Sequence, residues 1–136
     1  MKNYRPIVGS NPQQCLTRFV RFTDELLPAL PEPVLDLDPR IVSCVAVDRN
    51  GLLPTHNRKF SQLQGDDVAW NTANCCNRRL FNDRVGLAAG RSTKKFLLQS
   101  YRRDVGGGHF VAMKAVWAPI MVADRHWGGL RIGYKA

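Results

Sequence analysis

Between Asn11 and Leu30 the residues Leu16, Phe19, Val20, Thr23, Leu26, Leu27 and Leu30 recur on one helical stripe, while Arg18, Arg21, Asp24 and Glu25 fall mostly away from it. Asn11-Pro12-Gln13-Gln14 supplies an N-cap, a proline at the first helical position and a capping-box partner at Gln14. This pattern predicts a long N-terminal helix over about 11–30. Pro28, Pro31 and Pro33 must end it, since they cannot all sit in a helix interior. An extended linker over 31–40 leads to the β-branched run Ile41–Val47, bounded by Asp48-Arg49-Asn50-Gly51. Asn50-Gly51 is a hairpin signal and predicts a short return strand over 52–55, with Pro54 marking an edge or a bend. From His56 to Gln64 the pattern is polar and irregular, as in a loop or short helical turn. Helical patterning resumes over 66–73 and again over 77–89, where Leu80, Phe81, Val85 and Ala88 share a face and Gly90 supplies a stop. Arg79 and Asp83 are spaced there for a surface pair.

The last third alternates with period two. It predicts strands over 96–103, 109–122 and 127–135, with turns at Val105–Gly108 and Asp124–His126. The element order predicts an α+β fold, a five-stranded antiparallel sheet with helices packed on one face. One domain over 1–136 follows, with a core over about 41–135. A length of 136 residues suits one domain, and 44% hydrophobic with 23% charged residues excludes disorder of the whole chain. The 11 Gly and 8 Pro are scattered without a period, which excludes a collagen-like repeat. No apolar run approaches the roughly 18 residues of a membrane span. Met1–Pro6 lacks a signal-peptide hydrophobic block. A soluble domain is expected.

Charge widens the choice of partner. Twenty Lys and Arg stand against 11 Asp and Glu, a formal +9, which admits nucleic acid, a membrane surface or an anionic small ligand. A basic surface kept for solubility is the bland alternative. Cys15, Cys44 and the adjacent Cys75-Cys76 show no metal spacing, and a vicinal disulfide strains the backbone. Reduced thiols in a cytoplasmic setting fit best.

Candidate chemistry collects in three places. His56-Asn57-Arg58-Lys59 follows the second strand, where a loop crosses from sheet to helices and polar groups can converge on a ligand or simply form a solvated turn. Arg78, Arg79, Arg84, Arg91, Lys94, Lys95, Arg102 and Arg103 are offset only by Asp83. They are spread over a helix, a loop and a strand, and Phe81, Phe96 and Tyr101 look committed to core faces or strand interiors. A solvated surface with one or two ligand-directed members therefore outweighs a nucleic-acid platform. Alternation sets Leu97, Gln99, Tyr101 and Arg103 on one side of their strand, opposite Phe96, Leu98, Ser100 and Arg102. On the next strand Lys114 shares a face with Phe110, Ala112 and Val116, as a snorkelling lysine or as a buried charge awaiting an anion. His56, His109 and His126 lack metal spacing, Gly106-Gly107-Gly108 is a turn and not a phosphate cradle, and no serine has a nucleophile-elbow context. A thiol sensor at Cys75-Cys76, or haem ligation by one histidine, has no further support in the pattern.

Several long motifs occur in order: Asn3–Ile7, Asn11–Gln14, Ala46–Gly51, Pro54–Ser61, Asn77–Arg84, Gly86–Arg91, Phe96–Asp104 and His126–Arg131. Together they resemble a cytoplasmic domain that ends certain bacterial methyl-accepting chemotaxis proteins, similar in shape to PAS or Cache sensor modules. The resemblance implies a non-enzymatic, cytoplasmic sensory input domain at the C-terminal end of a receptor, with Met1 added and Ala136 near the natural end. It also implies a homodimer, an output to a histidine kinase through the receptor's signalling part, no cofactor and no nucleic-acid partner. Leu53, Cys76 and Trp117 depart from the usual run. The ligand site is placed by geometry and composition at His56, Asn57, Lys59, Arg79, Tyr101, Lys114 and Arg131. Lys114 and Arg79 are expected to neutralise a small anion, and His56 and Asn57 to orient it. A structural or partner-docking module without a small ligand is the alternative, ahead of a nucleic-acid-binding domain and a redox or haem sensor.

Overall fold

The structure is a computed structural model that describes residues 4–136; Met1, Lys2 and Asn3, the last opening the Asn3–Ile7 motif, lie outside the described residues. In chain order the elements are β1 (Arg5–Pro6), β2 (Cys15–Leu16), α1 (Val20–Leu26), β3 (Ile41–Asp48), β4 (Leu52–Leu53), α2 (Val68–Asn74), β5 (Arg79–Leu80) and α3 (Arg84–Arg91). Three long strands complete them: β6 (Leu97–Gly106), β7 (His109–Val122) and β8 (Arg125–Lys135). Short 3-10 turns occupy Leu27–Ala29, Glu32–Asp36 and Arg58–Phe60. The fold is α+β and dominated by strands. Among the described residues no helix is long and apolar enough to cross a membrane.

The main sheet has four strands in the order β3-β8-β7-β6, antiparallel throughout. The expectation of a five-stranded PAS- or Cache-like sheet is therefore corrected. The return after Asn50-Gly51 does not pair with β3. Asp48 Oδ1 accepts the N–H groups of Asn50 and Leu52 (both 2.9 Å), which turns the chain off the sheet. β4 then pairs with β5 instead, Leu52 opposite Leu80 and Leu53 opposite Arg79. Both leucines are fully buried, so a strand of two residues is held by packing and not by ladder length.

The long N-terminal helix is also corrected: α1 is seven residues, and β1 pairs with β2 ahead of it. Tertiary partners take the groups that a helix needs. Cys15 N–H donates to the Arg78 carbonyl (2.6 Å), and the Gln14 side-chain amide donates to the Asn77 carbonyl (3.0 Å). Such contacts override a weak local propensity. The helix expected over 77–89 shortens for a similar reason. Arg79 and Leu80 are drawn into pairing with β4, and Asp83 caps α3 by accepting the Gly86 N–H (3.3 Å). That contact replaces the expected Arg79–Asp83 surface pair.

Alternation along the long strands produces two unlike faces. Val45, Val47, Ala115 and Trp117 meet Leu53 and Ala89 in the core, with Phe81, Leu97 and Tyr101 packed against them. α2 packs on β6, and α3 on β8 and β7. The β6–β7 turn uses three glycines at positive φ, and a Cβ on Gly106 would collide with the Ala69 carbonyl of α2. Only glycine permits that approach. Leu98 and Lys114 face outward from the sheet and are exposed.

Candidate functional site

The inner face of the sheet does not close on the helices. Between them lies a cavity of about 610 Å³, within the range of small-molecule sites. Its walls come from the same-face positions Ser43, Gln99, Tyr101, Trp117 and Arg131, with Thr72 of α2 and Phe81 after β5 opposite. Arg102 and Phe110, both exposed, form its rim beside the edge strand β6.

Arg131 sits in the middle of this face, paired across β8 with Val45 on one side and Trp117 on the other. Its neighbours two residues away are Gly129 and Gly133. A Cβ on Gly133 would stand 2.7 Å from Tyr101 Oη and 2.8 Å from Ser43 Oγ, and one on Gly129 would stand 2.9 Å from the Trp117 ring. The missing side chains make room for two rings beside the arginine. Its guanidinium carbon lies 5.1 Å from the Tyr101 centroid and 5.4 Å from that of Trp117, within cation–π range. Among the described residues no carboxylate answers its charge. The ion pairs among the described residues are Arg21–Glu25, Arg40–Asp38 and Arg78–Asp24, all elsewhere. Arg131 Nε and Trp117 Nε1 are buried with no hydrogen-bond partner. Burial holds the guanidinium below its ordinary value, with Arg103 acting in the same direction. An arginine remains charged regardless.

His56 is the second buried polar group of the wall. Its Nδ1 accepts the Asn57 backbone N–H (2.7 Å), so the neutral ring carries its proton on Nε2. Burial pushes its pKa well below the usual value, and Arg131, Arg103, Lys59 and Arg79 push it further. His56 is thus a neutral N–H donor and not a cation.

Arg79 and Arg103 approach from opposite elements. Arg79 Nη1 donates to the Thr72 carbonyl (3.5 Å) and Arg103 Nη2 to the adjacent Ala73 carbonyl (3.3 Å), both near the C-terminal end of α2. Each guanidinium also lies over a phenylalanine ring, Arg79 at 4.9 Å from Phe81 and Arg103 at 4.0 Å from Phe60. The two lining carboxylates are turned to the backbone: Asp83 caps α3, and Asp104 Oδ1 accepts the Gly106 N–H (2.9 Å).

Of the residues singled out from the sequence, His56, Arg79, Tyr101 and Arg131 line this one cavity. The other three do not. Asn57 is buried and structural: its Oδ1 accepts the N–H of Cys44 on the edge strand β3 (2.8 Å), and its Nδ2 donates to Glu32 (3.2 Å). Lys59 is exposed on its 3-10 turn, with Nζ 5.0 Å from the Phe60 centroid. Lys114 points away from the cavity, because it alternates with Met113 and Ala115, which face inward and are buried. Arg103, Trp117 and Ser43 complete the wall and were not singled out, although strand alternation had already set Arg103 beside Tyr101. Cys76 also lines the cavity, whereas burial raises the pKa of Cys75, as it does those of Cys15 and Cys44, the last to about 11. Among the described residues no group of three or more His, Cys, Asp or Glu is placed to hold a metal ion. Comparison with protein-family models and with curated proteins returns no match to this chain.

Proposed function

We propose that this chain is a non-enzymatic ligand-sensing domain that binds a small organic anion in the cavity, with a carboxylate seated on Arg131. The observation that carries the reading is the guanidinium itself: half-buried beside two rings, with its Nε buried and unpartnered among the described residues, and lining a cavity of ligand size. A charge in such a place is costly unless something binds it. A carboxylate matches the planar fork and its parallel N–H donors. The neutral His56 Nε2–H supplies a further donor. Its ring has no carboxylate partner and bonds no nucleophilic side chain among the described residues, which favours binding over catalysis.

Coupling to the rest of a receptor runs through the segment before β5. Arg79 lines the cavity, and its neighbour Arg78 pairs with Asp24 of α1 (2.6 Å) while its carbonyl receives the Cys15 N–H. A ligand that draws on Arg79 thereby acts on the N-terminal elements. In the chemoreceptor setting that the sequence motifs suggest, this is the route toward the signalling part and its histidine kinase.

Isothermal titration with short carboxylates tests the reading in a buffer without competing anions. Binding is expected for the wild type, lost in Arg131→Met and retained in Lys114→Ala. Equal affinity in the wild type and Arg131→Met would refute it. The alternative of a docking module is favoured by one observation, the outward Phe96 and Leu98, which are 59% and 63% exposed.

A further inference from the structure

Resting on the anion-sensing reading above, we infer that the ligand is a dicarboxylate, held at one end by Arg131 and at the other by Arg79 and Arg103 acting together. The second anchor comes from other strands than the first. Arg131 belongs to the middle of the sheet, between Tyr101 and Trp117. Arg79 of β5 and Arg103 of β6 reach toward the end of α2, where they donate to the consecutive carbonyls of Thr72 and Ala73. Two like charges on neighbouring acceptors repel each other, and one neutral carbonyl apiece, at 3.5 and 3.3 Å, does not neutralise them. A carboxylate between them does.

Their remaining hydrogen-bonding capacity points the same way. Each guanidinium lies over a phenylalanine ring and donates one hydrogen bond to a carbonyl, which leaves further N–H donors of its five for a ligand. Four arginines line the cavity, Arg102 at its exposed rim and Arg79, Arg103 and Arg131 less exposed, while Asp83 and Asp104 each accept a backbone N–H. One carboxylate answers one anchor only. The helix start nearest the cavity is already filled by Asp83, which leaves the arginines to hold an anion.

The test compares malonate, succinate, glutarate and adipate with the monocarboxylates of equal carbon number, and with methyl phosphate, by isothermal titration. At one chain length the wild type is expected to bind the dicarboxylate about tenfold or more tighter than its monocarboxylate counterpart. In the Arg79→Gln/Arg103→Gln double variant that advantage is expected to collapse, with circular dichroism reporting the fold. Arg103→Lys alone, which keeps the charge but not the fork, is expected to lose part of it. Equal binding of mono- and dicarboxylates overturns the two-ended ligand and leaves the anion site standing. An advantage that survives in the double variant overturns the assignment to Arg79 and Arg103. Methyl phosphate binding as tightly as the best dicarboxylate overturns the ligand class. No binding of any anion overturns the anion site itself, and this inference with it.

Discussion

Replacing Arg131 by methionine should make the empty protein more stable while abolishing its response to carboxylates. Methionine retains an unbranched apolar stem beside Tyr101 and Trp117 and removes only the charged end. An ion taken out of water costs several kcal/mol even after relaxation, and no carboxylate offsets that cost here. Water in the 610 Å³ cavity recovers part of it, and two cation–π contacts recover about 0.5–1 kcal/mol each. The balance favours the variant by about 1–2 kcal/mol. With about 2.1 cal/mol/K of unfolding entropy per residue, a chain of 136 residues gains roughly 4–7 °C in its midpoint. Differential scanning calorimetry in a zwitterionic buffer, with little chloride to occupy the site, reads this directly. A saturating carboxylate should then raise the wild-type midpoint by mass action and leave the variant where it was. A midpoint lower than wild type, with unchanged far-ultraviolet circular dichroism, would refute the reasoning, because it would mean that the fold needs the charge.

His56 adds a pH dependence of known sign. Its pKa is lowered on folding, so the unfolded chain binds the extra proton first; its contribution is full above about pH 6.5 and is lost as pH falls below that, at up to about 1.4 kcal/mol per pH unit. Urea unfolding of wild type and His56→Gln between pH 7 and 5 should show the steeper decline in the wild type; parallel curves would remove His56 as the cause. Asn57→Ala leaves the buried Cys44 N–H without its acceptor and should cost about 1–3 kcal/mol in the same assay, with carboxylate affinity measured on the folded fraction little changed. Gly106→Ala, at φ 89° and against the Ala69 carbonyl, should cost about 2–3 kcal/mol; a neutral outcome would mean that α2 does not press on the β6–β7 turn.

On the proposed reading, the site carries its function as a stability defect. Glycines on both sides of Arg131 give up β-sheet packing so that two rings can flank a charge, and the core next to it is correspondingly open. The contrast with Asp24 and Arg78 is instructive. They too are only partly buried, yet they close on each other at 2.6 Å and tie α1 to the segment before β5. The fold pairs one arginine with a carboxylate and leaves the other without one among the described residues, a place that the proposed reading gives to a ligand.

Period-two alternation in the last third is a local property, and it determined both the three long strands and the set of side chains sharing the inner face. Tyr101 and Arg103 fall together on that account, and Lys114 is directed to the outer face opposite Met113 and Ala115. Position after the second strand points to His56, and the run of basic residues to Arg79. Alternation does not say which face is covered, so whether Lys114 met solvent or an anion depended on where α2 and α3 packed. The two-residue strands β4 and β5, the shortened α1 and the fate of Asn57 depended on partners 13 to 63 residues away, such as Asn57 with Cys44 and Gln14 with Asn77. No local pattern encodes such partners, because the energy that selects them comes from packing and from satisfying buried N–H groups. The isolation of Arg131 is of the same kind: a chain with 11 acidic residues brings none of its described carboxylates within ion-pair reach of it, and only the tertiary structure decides that.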